Sequence, residues 1–318
     1  MMTGLQHALA RSTNRGQTLL LLLAIASLSG LAGWVLGGSA GAAWALILAL
    51  ALALFAPRMS PAMLMRMYRA RPLHAAELPV LHEVVADMAA RAGLSRTPRL
   101  FLIPSQVMNA FAVGGRDDAV IAVTSGLLNR LDMDELTSVV AHEISHILHG
   151  DIQAMTLADI FSRITGVFST IGKILLIINL PLLLLGEMTI SWGLVFVLLG
   201  APGVSMLLQL ALSRTREFEA DASAARLTGD PLALARALAR IEYQQGSLFD
   251  RLFFPGRREQ EPSLLRSHPV TDERVARLKA MAQEPWATPR YRFAQATRPR
   301  PFTIVRPRWR MGGYWISL

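Results

Sequence analysis

The chain has 318 residues, of which 52% are apolar and only 17% charged, and its mean hydropathy is +0.36. Charged residues make up about a quarter of an ordinary soluble domain, so this balance excludes a chain that lies wholly in water. There is no cysteine, which rules out a disulfide framework and a thiolate metal site. Any metal must be held by His, Asp or Glu.

The formal charge of +9 comes almost wholly from arginine, since the lysines are Lys173 and Lys279 alone. Arginines flanking membrane segments account for most of it, and no nucleic-acid partner is expected. Residues 17–36 and 39–56 are apolar runs with no charge between them. Each approaches the roughly 20 residues that cross a hydrocarbon core as a helix. Arg11 and Arg15 precede the first run, and Arg58, Arg66, Arg69 and Arg71 follow the second. Basic residues stay on the cytoplasmic side, so both outer ends are expected there. A cleaved signal peptide, with small residues around 39–43, is the competing reading. The second apolar run directly behind the first favours a helical hairpin turning at Gly37-Gly38.

From Pro72 the composition turns soluble. Residues 76–92 read as an amphipathic helix through Leu78, Leu81, Val84, Val85 and Met88. Strand-like runs follow at Arg99–Ile103, Ala110–Val113 and 119–124, the last two joined by a Gly114-Gly115-Arg116-Asp117-Asp118 turn. A helix over Met133–His149 comes next. Asp132 with Glu135 forms a capping box at its start, and Gly150 stands where a glycine ends a helix.

Inside that helix lies Ala141-His142-Glu143-Ile144-Ser145-His146-Ile147, an HExxH motif. Residues four apart lie one helical turn above each other, so His142 and His146 can present both imidazoles to one Zn²⁺. Glu143 stands on the adjoining face, where a carboxylate can take a proton from water. Two buried, hydrogen-bonded core histidines are the bland alternative. Leu136, Val139, Val140, Ile147 and Leu148 give the helix apolar surface to bury.

Apolar character returns at residues 164–185 and 190–212, joined by 186–189. Lys173, Pro181 and Pro202 interrupt these runs, so a hairpin that only dips into the bilayer is the alternative to two full spans. Arg214 and Arg216 close the second run. A four-span topology results, with both termini and the HExxH helix inside. Soluble helices are expected at 213–227, 231–245 and 271–281, the last capped by Thr271. Residues 253–267 read as a mobile Pro/Gly-rich loop. The chain thus divides into an N-terminal transmembrane hairpin (1–71), a first catalytic part (72–163), a second hairpin (164–212), a second catalytic part (213–284) and a basic aromatic tail (285–318).

Two histidines need a third protein ligand and an open position. A further His six residues after His146, with Gly before it, would mark one zinc-protease class, but His149 and Ile152 occupy those positions. His149 reads as a polar residue at the helix end. The better candidate is Glu217 in Arg216-Glu217-Phe218-Glu219-Ala220-Asp221. Glu217 and Asp221 share a face at i, i+4, while Glu219 points almost the opposite way. Asp221 can then accept the N–H of a metal-bound histidine. A solvated helical charge pair is the alternative reading of these acids.

The sequence resembles the HtpX-type membrane zinc metalloproteases, gluzincins related to the CAAX prenyl endopeptidases. The resemblance runs from about residue 75 to 283. It rests on Asn109-Ala110-Phe111-Ala112, Ser125-Gly126-Leu127, the HExxH motif with Gly150-Asp151, Ser213-Arg214 through Asp221, and His268-Pro269 before Arg274. It implies a zincin-type catalytic domain with zinc on His142, His146 and Glu217, and Glu143 as the base. It also implies a four-span plan with a cytoplasmic active site in the inner membrane, and degradation of misfolded membrane proteins.

The expected fold class is therefore mainly α with a small β-sheet, an integral membrane protein with about four transmembrane helices. Protein substrates and the lipid bilayer are the expected partners. The strand through Asn109, Ala110, Phe111 and Ala112 can receive substrate backbone by β-augmentation, or be an ordinary edge strand. The resemblance places His268 near the cleft, as an oxyanion donor or as a latch on the open metal position, with a capping or surface role as the alternative. A non-catalytic membrane scaffold and a prenyl-protein processing protease are the competing functions.

Overall fold

The computed structural model describes residues 2–55, 60–186, 191–245, 272–291, 293, 309–311 and 314–316. It divides into two compact units that interleave in sequence, residues 1–58 with 150–219 and residues 59–149 with 220–318.

The first unit is built from three long helices. Helix α1 (Met2–Phe55) leaves helical geometry at Gly37 and Gly38, where Gly38 takes φ 59°. A straight helix would carry Gly33 and Gly41 about 12 Å apart. Instead, a Cβ added to either glycine would collide with the other's carbonyl oxygen. The chain therefore doubles back, and the close approach of the two limbs requires glycine at both places. Helix α6 (Asp151–Leu184) and helix α7 (Trp192–Thr228) as far as Glu219 complete the set, the rest of α7 belonging to the second unit.

These three helices are long and apolar enough to cross a membrane, and only 17–22% of their apolar windows is buried inside the protein. Leu20, Trp44, Ile177 and Leu207 face outward, as residues in lipid do. Ile25, Ala158 and Leu212 form one small inner cluster; Ala49, Ile160 and Ile164 form another. Helix α6 starts 13 residues before the apolar run at 164, with an exposed Asp159–Arg163 pair on its first turns. Helix α7 carries the last apolar run and the acidic motif behind it without a break.

The second unit holds a four-stranded sheet in the order β1-β2-β4-β3, from strands Arg71–Pro72, Arg99–Ile103, Ala110–Val113 and Val120–Thr124. Strands β2 and β4 are parallel with Leu100 opposite Ile121, and β3 and β4 form an antiparallel hairpin with Phe111 opposite Ala122. Strand β3 is thus an outer strand. One face of the sheet buries Leu100, Leu102, Ile121 and Val123 against α3 (Pro79–Arg91), α5 (Met133–His149) and α8 (Pro231–Gln245). The other face packs Ile103, Phe111 and Val120 on α2 (Pro61–Met67) and Tyr68. A short α4 (Ser125–Arg130) leads into α5, α9 (Asp272–Met281) follows α8, and strands β5 (Trp309–Met311) and β6 (Tyr314–Ile316) pair near the end of the chain.

Helix α5 is buried along almost its whole length. Its capping box is formed: Glu135 N–H donates to Asp132 Oδ1 at 2.9 Å, and Asp132 N–H to Glu135 Oε2 at 3.1 Å. Burial pushes the Glu135 carboxyl up, and Arg240 stands 3.0 Å from it. The helix ends because Gly150 takes a left-handed conformation, φ 71° and ψ 30°, which residues with a Cβ rarely adopt. The chain turns there and α6 begins at the next residue.

Candidate active site

The two histidines of α5 face each other edge to face, with Nε2 atoms 3.0 Å apart. Both side chains are buried, as is Glu143 between them in sequence. The other ring nitrogen of His142, Nδ1, lies 3.0 Å from Asp221 Oδ1. A proton on Nδ1 would face that carboxylate and leave the Nε2 lone pair toward His146.

Asp221 sits on α7 four residues after Glu217, so the two carboxylates leave the helix on one face. One donor atom from each of His142, His146 and Glu217 lies within 4.8 Å of the others, and all three side chains are buried. Two nitrogens bound to one tetrahedral Zn²⁺ at about 2.05 Å would be about 3.3 Å apart. The Nε2–Nε2 distance of 3.0 Å is close to that edge. Two neutral nitrogens and a carboxylate oxygen suit Zn²⁺, so the residues present fit a metal ion of this kind.

Supporting contacts hold both carrier helices. Arg116, from the β3–β4 turn, donates to the Leu148 carbonyl at 2.6 Å and so satisfies the carbonyl end of α5. On α7, Arg216 is buried and bonded to Asp151, to Glu219 Oε2 at 2.7 Å and to Thr18 Oγ1 at 3.3 Å. Arg274 on α9 grips Asp221 with two bonds of 2.7 Å.

His149 is not among the three convergent residues. Asn109 through Ala112 lie at and within outer strand β3, with Phe111 packed on Tyr68 at 5.4 Å between ring centroids. His268, the 253–267 loop and the Thr271 cap lie outside the described residues. Arg274, Asp151 and Arg216 are among the residues that carry the resemblance, but neither the Arg274–Asp221 nor the Arg216–Asp151 contact was expected from it. A signal existed for Arg274: it precedes the buried Leu278 by one helical turn, which puts it on the inward face.

A buried site with this donor set, built on an HExxH helix in a chain with membrane-length helices, is what a membrane-bound metal-dependent hydrolase requires. The profile of peptidase family M48 matches residues 75–282. A protease HtpX homolog of Persephonella marina is 37% identical over 289 residues, covering 84% of this chain and 97% of that protein. One from Acidiphilium cryptum is 40% identical over 289 residues, covering 84% and 96%, and protease HtpX of Legionella pneumophila is 36% identical over 288, covering 84% and 99%. Among solved structures, Ste24p of S. mikatae aligns with 21% identity and a TM-score of 0.48, spanning 85% of this chain and 63% of that one. The chain belongs to peptidase family M48, and it is a membrane metalloprotease.

Proposed function

We propose that this protein is a zinc endopeptidase of a bacterial inner membrane that cleaves membrane or misfolded proteins from the cytoplasmic side. The observation that carries the reading is the convergence of His142, His146 and Glu217 on one point, with Asp221 behind His142. These three residues would hold the zinc. When bound, the ion would polarise the scissile carbonyl and lower the pKa of water toward 7.

The remaining chemistry belongs to the chain's own residues. Glu143 does not join the ligand group, and as the general base it accepts a proton from the attacking water and returns it to the leaving amine. Burial of the site excludes bulk water from that exchange. Strand β3, with Asn109 through Ala112, has an outer edge suited to antiparallel pairing with an extended substrate. Such pairing reads backbone more than side chains, which suits a protease acting on many unfolded sequences. The resemblance alone suggests a role for His268, as donor to the developing oxyanion or as a latch.

The test is Glu143→Gln in purified protein. Zinc content and fold should be retained while peptide hydrolysis falls by about two to four orders of magnitude. Wild-type cleavage by that variant would remove Glu143 from the mechanism. A scaffold that merely retains the motif would show no chelator-sensitive cleavage in either form.

A further inference from the structure

Arg274 is 1% exposed. A guanidinium at such depth is tolerated only where its charge and donors are answered. Here Nε donates to Asp221 Oδ2 at 2.7 Å and Nη2 to Asp221 Oδ1 at 2.7 Å. That is the planar two-bond fork that arginine forms with a carboxylate and lysine cannot. Asp221 Oδ1 is also the atom 3.0 Å from His142 Nδ1. Guanidinium, carboxylate and imidazole therefore form one chain of contacts that ends on a metal-facing nitrogen.

We propose that Arg274 is a positioning residue of the metal centre, acting on His142 through Asp221. The terminal torsion of an aspartate is broad and two-fold, so an isolated carboxylate can turn away from an imidazole at little cost. Two parallel bonds from one rigid plane leave Asp221 a single orientation. Oδ1 is then fixed opposite Nδ1, and the ring of His142 is held with Nε2 toward His146. Leu278, one turn further along α9 and fully buried, seats the helix that delivers the arginine. The inference rests on His142 being a metal ligand.

The experiment uses the full chain in detergent and measures the zinc dissociation constant against a competing chelator, together with the visible spectrum of the Co²⁺-substituted protein. Arg274→Gln should weaken zinc binding about 10–100-fold, as loss of an outer partner of a liganding histidine does, and should shift the Co²⁺ bands. Arg274→Lys keeps the charge but reaches one oxygen, so its loss should fall between wild type and Arg274→Gln. It also carries the test alone if the glutamine variant does not fold. Thermal melts of the metal-free variants separate loss of fold from loss of affinity.

The discriminating arm is a double-mutant cycle. If Arg274 acts through Asp221, then adding Arg274→Gln or Arg274→Lys to Asp221→Asn should cost almost no further zinc affinity. Wild-type affinity in both arginine variants, or fully additive losses in the cycle, overturns the proposal. His142→Ala separates the two ideas. Wild-type zinc affinity there defeats the metal-site reading itself, whereas loss there beside wild-type Arg274 variants defeats only the role of Arg274.

Discussion

Glu217 and Glu219 stand two residues apart on one helix and have different partners. Glu217 converges with the two histidines, while Glu219 is bonded to Arg216, which also binds Asp151. Glu217→Ala should therefore strip most of the zinc. Glu219→Ala should leave zinc occupancy nearly intact and lower stability by about 1–3 kcal/mol, because Arg216 keeps one of its two acids. Metal analysis and a detergent-phase melt on each variant read the two effects separately; equal zinc losses would mean the face of α7 is misassigned. The spacing that separates these acids was legible in the sequence, because helical periodicity alone sorts positions 217, 219 and 221 onto faces. The partners of the buried arginines were not legible. A pair such as Arg274 with Asp221, 53 residues apart along the chain, is set by tertiary packing, and only the i, i+4 relation to Leu278 hints at it.

At the scale of elements, stop and start chemistry decided what could be read. Helix α5 has a capping box and a left-handed glycine, and its expected limits at 133 and 149 coincide with those observed. Helices α6 and α7 run further than their apolar stretches because nothing between 151 and 164, or between 212 and 228, breaks a helix. A change in composition is not a change in backbone. The short β1 and α2 were missed, having too few residues for any period to show. The start of the tail, from residue 285, also belongs to the fold. Arg290 N–H donates to the Thr228 carbonyl at 2.8 Å, Trp286 packs on the core, and the Tyr291 hydroxyl donates to Asp87 Oδ2 at 2.5 Å.

That last bond makes a pH prediction. Burial, helped by the Asp87 carboxylate, pushes the Tyr291 phenol up to about 12. Arg91 first, and then Tyr291, hold Asp87 below the usual carboxylate range. The neutral phenol's contribution is fully present below pH ~10, the ordinary tyrosine value, and is lost as pH rises through about 12. The Asp87 contribution is present above pH ~4 and fades as pH falls below it. Tyrosinate absorbance should show Tyr291 among the late-titrating tyrosines, with Tyr68 also pushed up by burial, and Tyr291→Phe should remove its share of the late absorbance and cost about 1 kcal/mol near neutral pH. An unchanged titration curve in the phenylalanine variant would show that Tyr291 is not among the late groups.

For the whole molecule, the arginines that flank the apolar runs carry the expected orientation, which topology reporters test. A reporter fused after Leu318, or placed near Arg71, should behave as cytoplasmic, and one placed at Gly37-Gly38 should be exported; a cytoplasmic signal from that turn would overturn the topology. The uninterrupted course of α7 reaches further. It has 37 residues, about 55 Å of continuous rod, with lipid-facing side chains at one end and Glu217 about five residues beyond Leu212. Transmembrane helices answer a thicker or thinner hydrocarbon layer by changing tilt. Pro202, which leaves the Leu198 carbonyl without its helical donor, is where the rod can absorb part of that change. On the proposed assignment of Glu217 as a metal ligand, a change in hydrocarbon thickness is expected to reach the site along this one helix. Turnover in vesicles of graded acyl-chain length should pass through an optimum, and a flat profile would mean that the rod yields before the strain reaches Glu217.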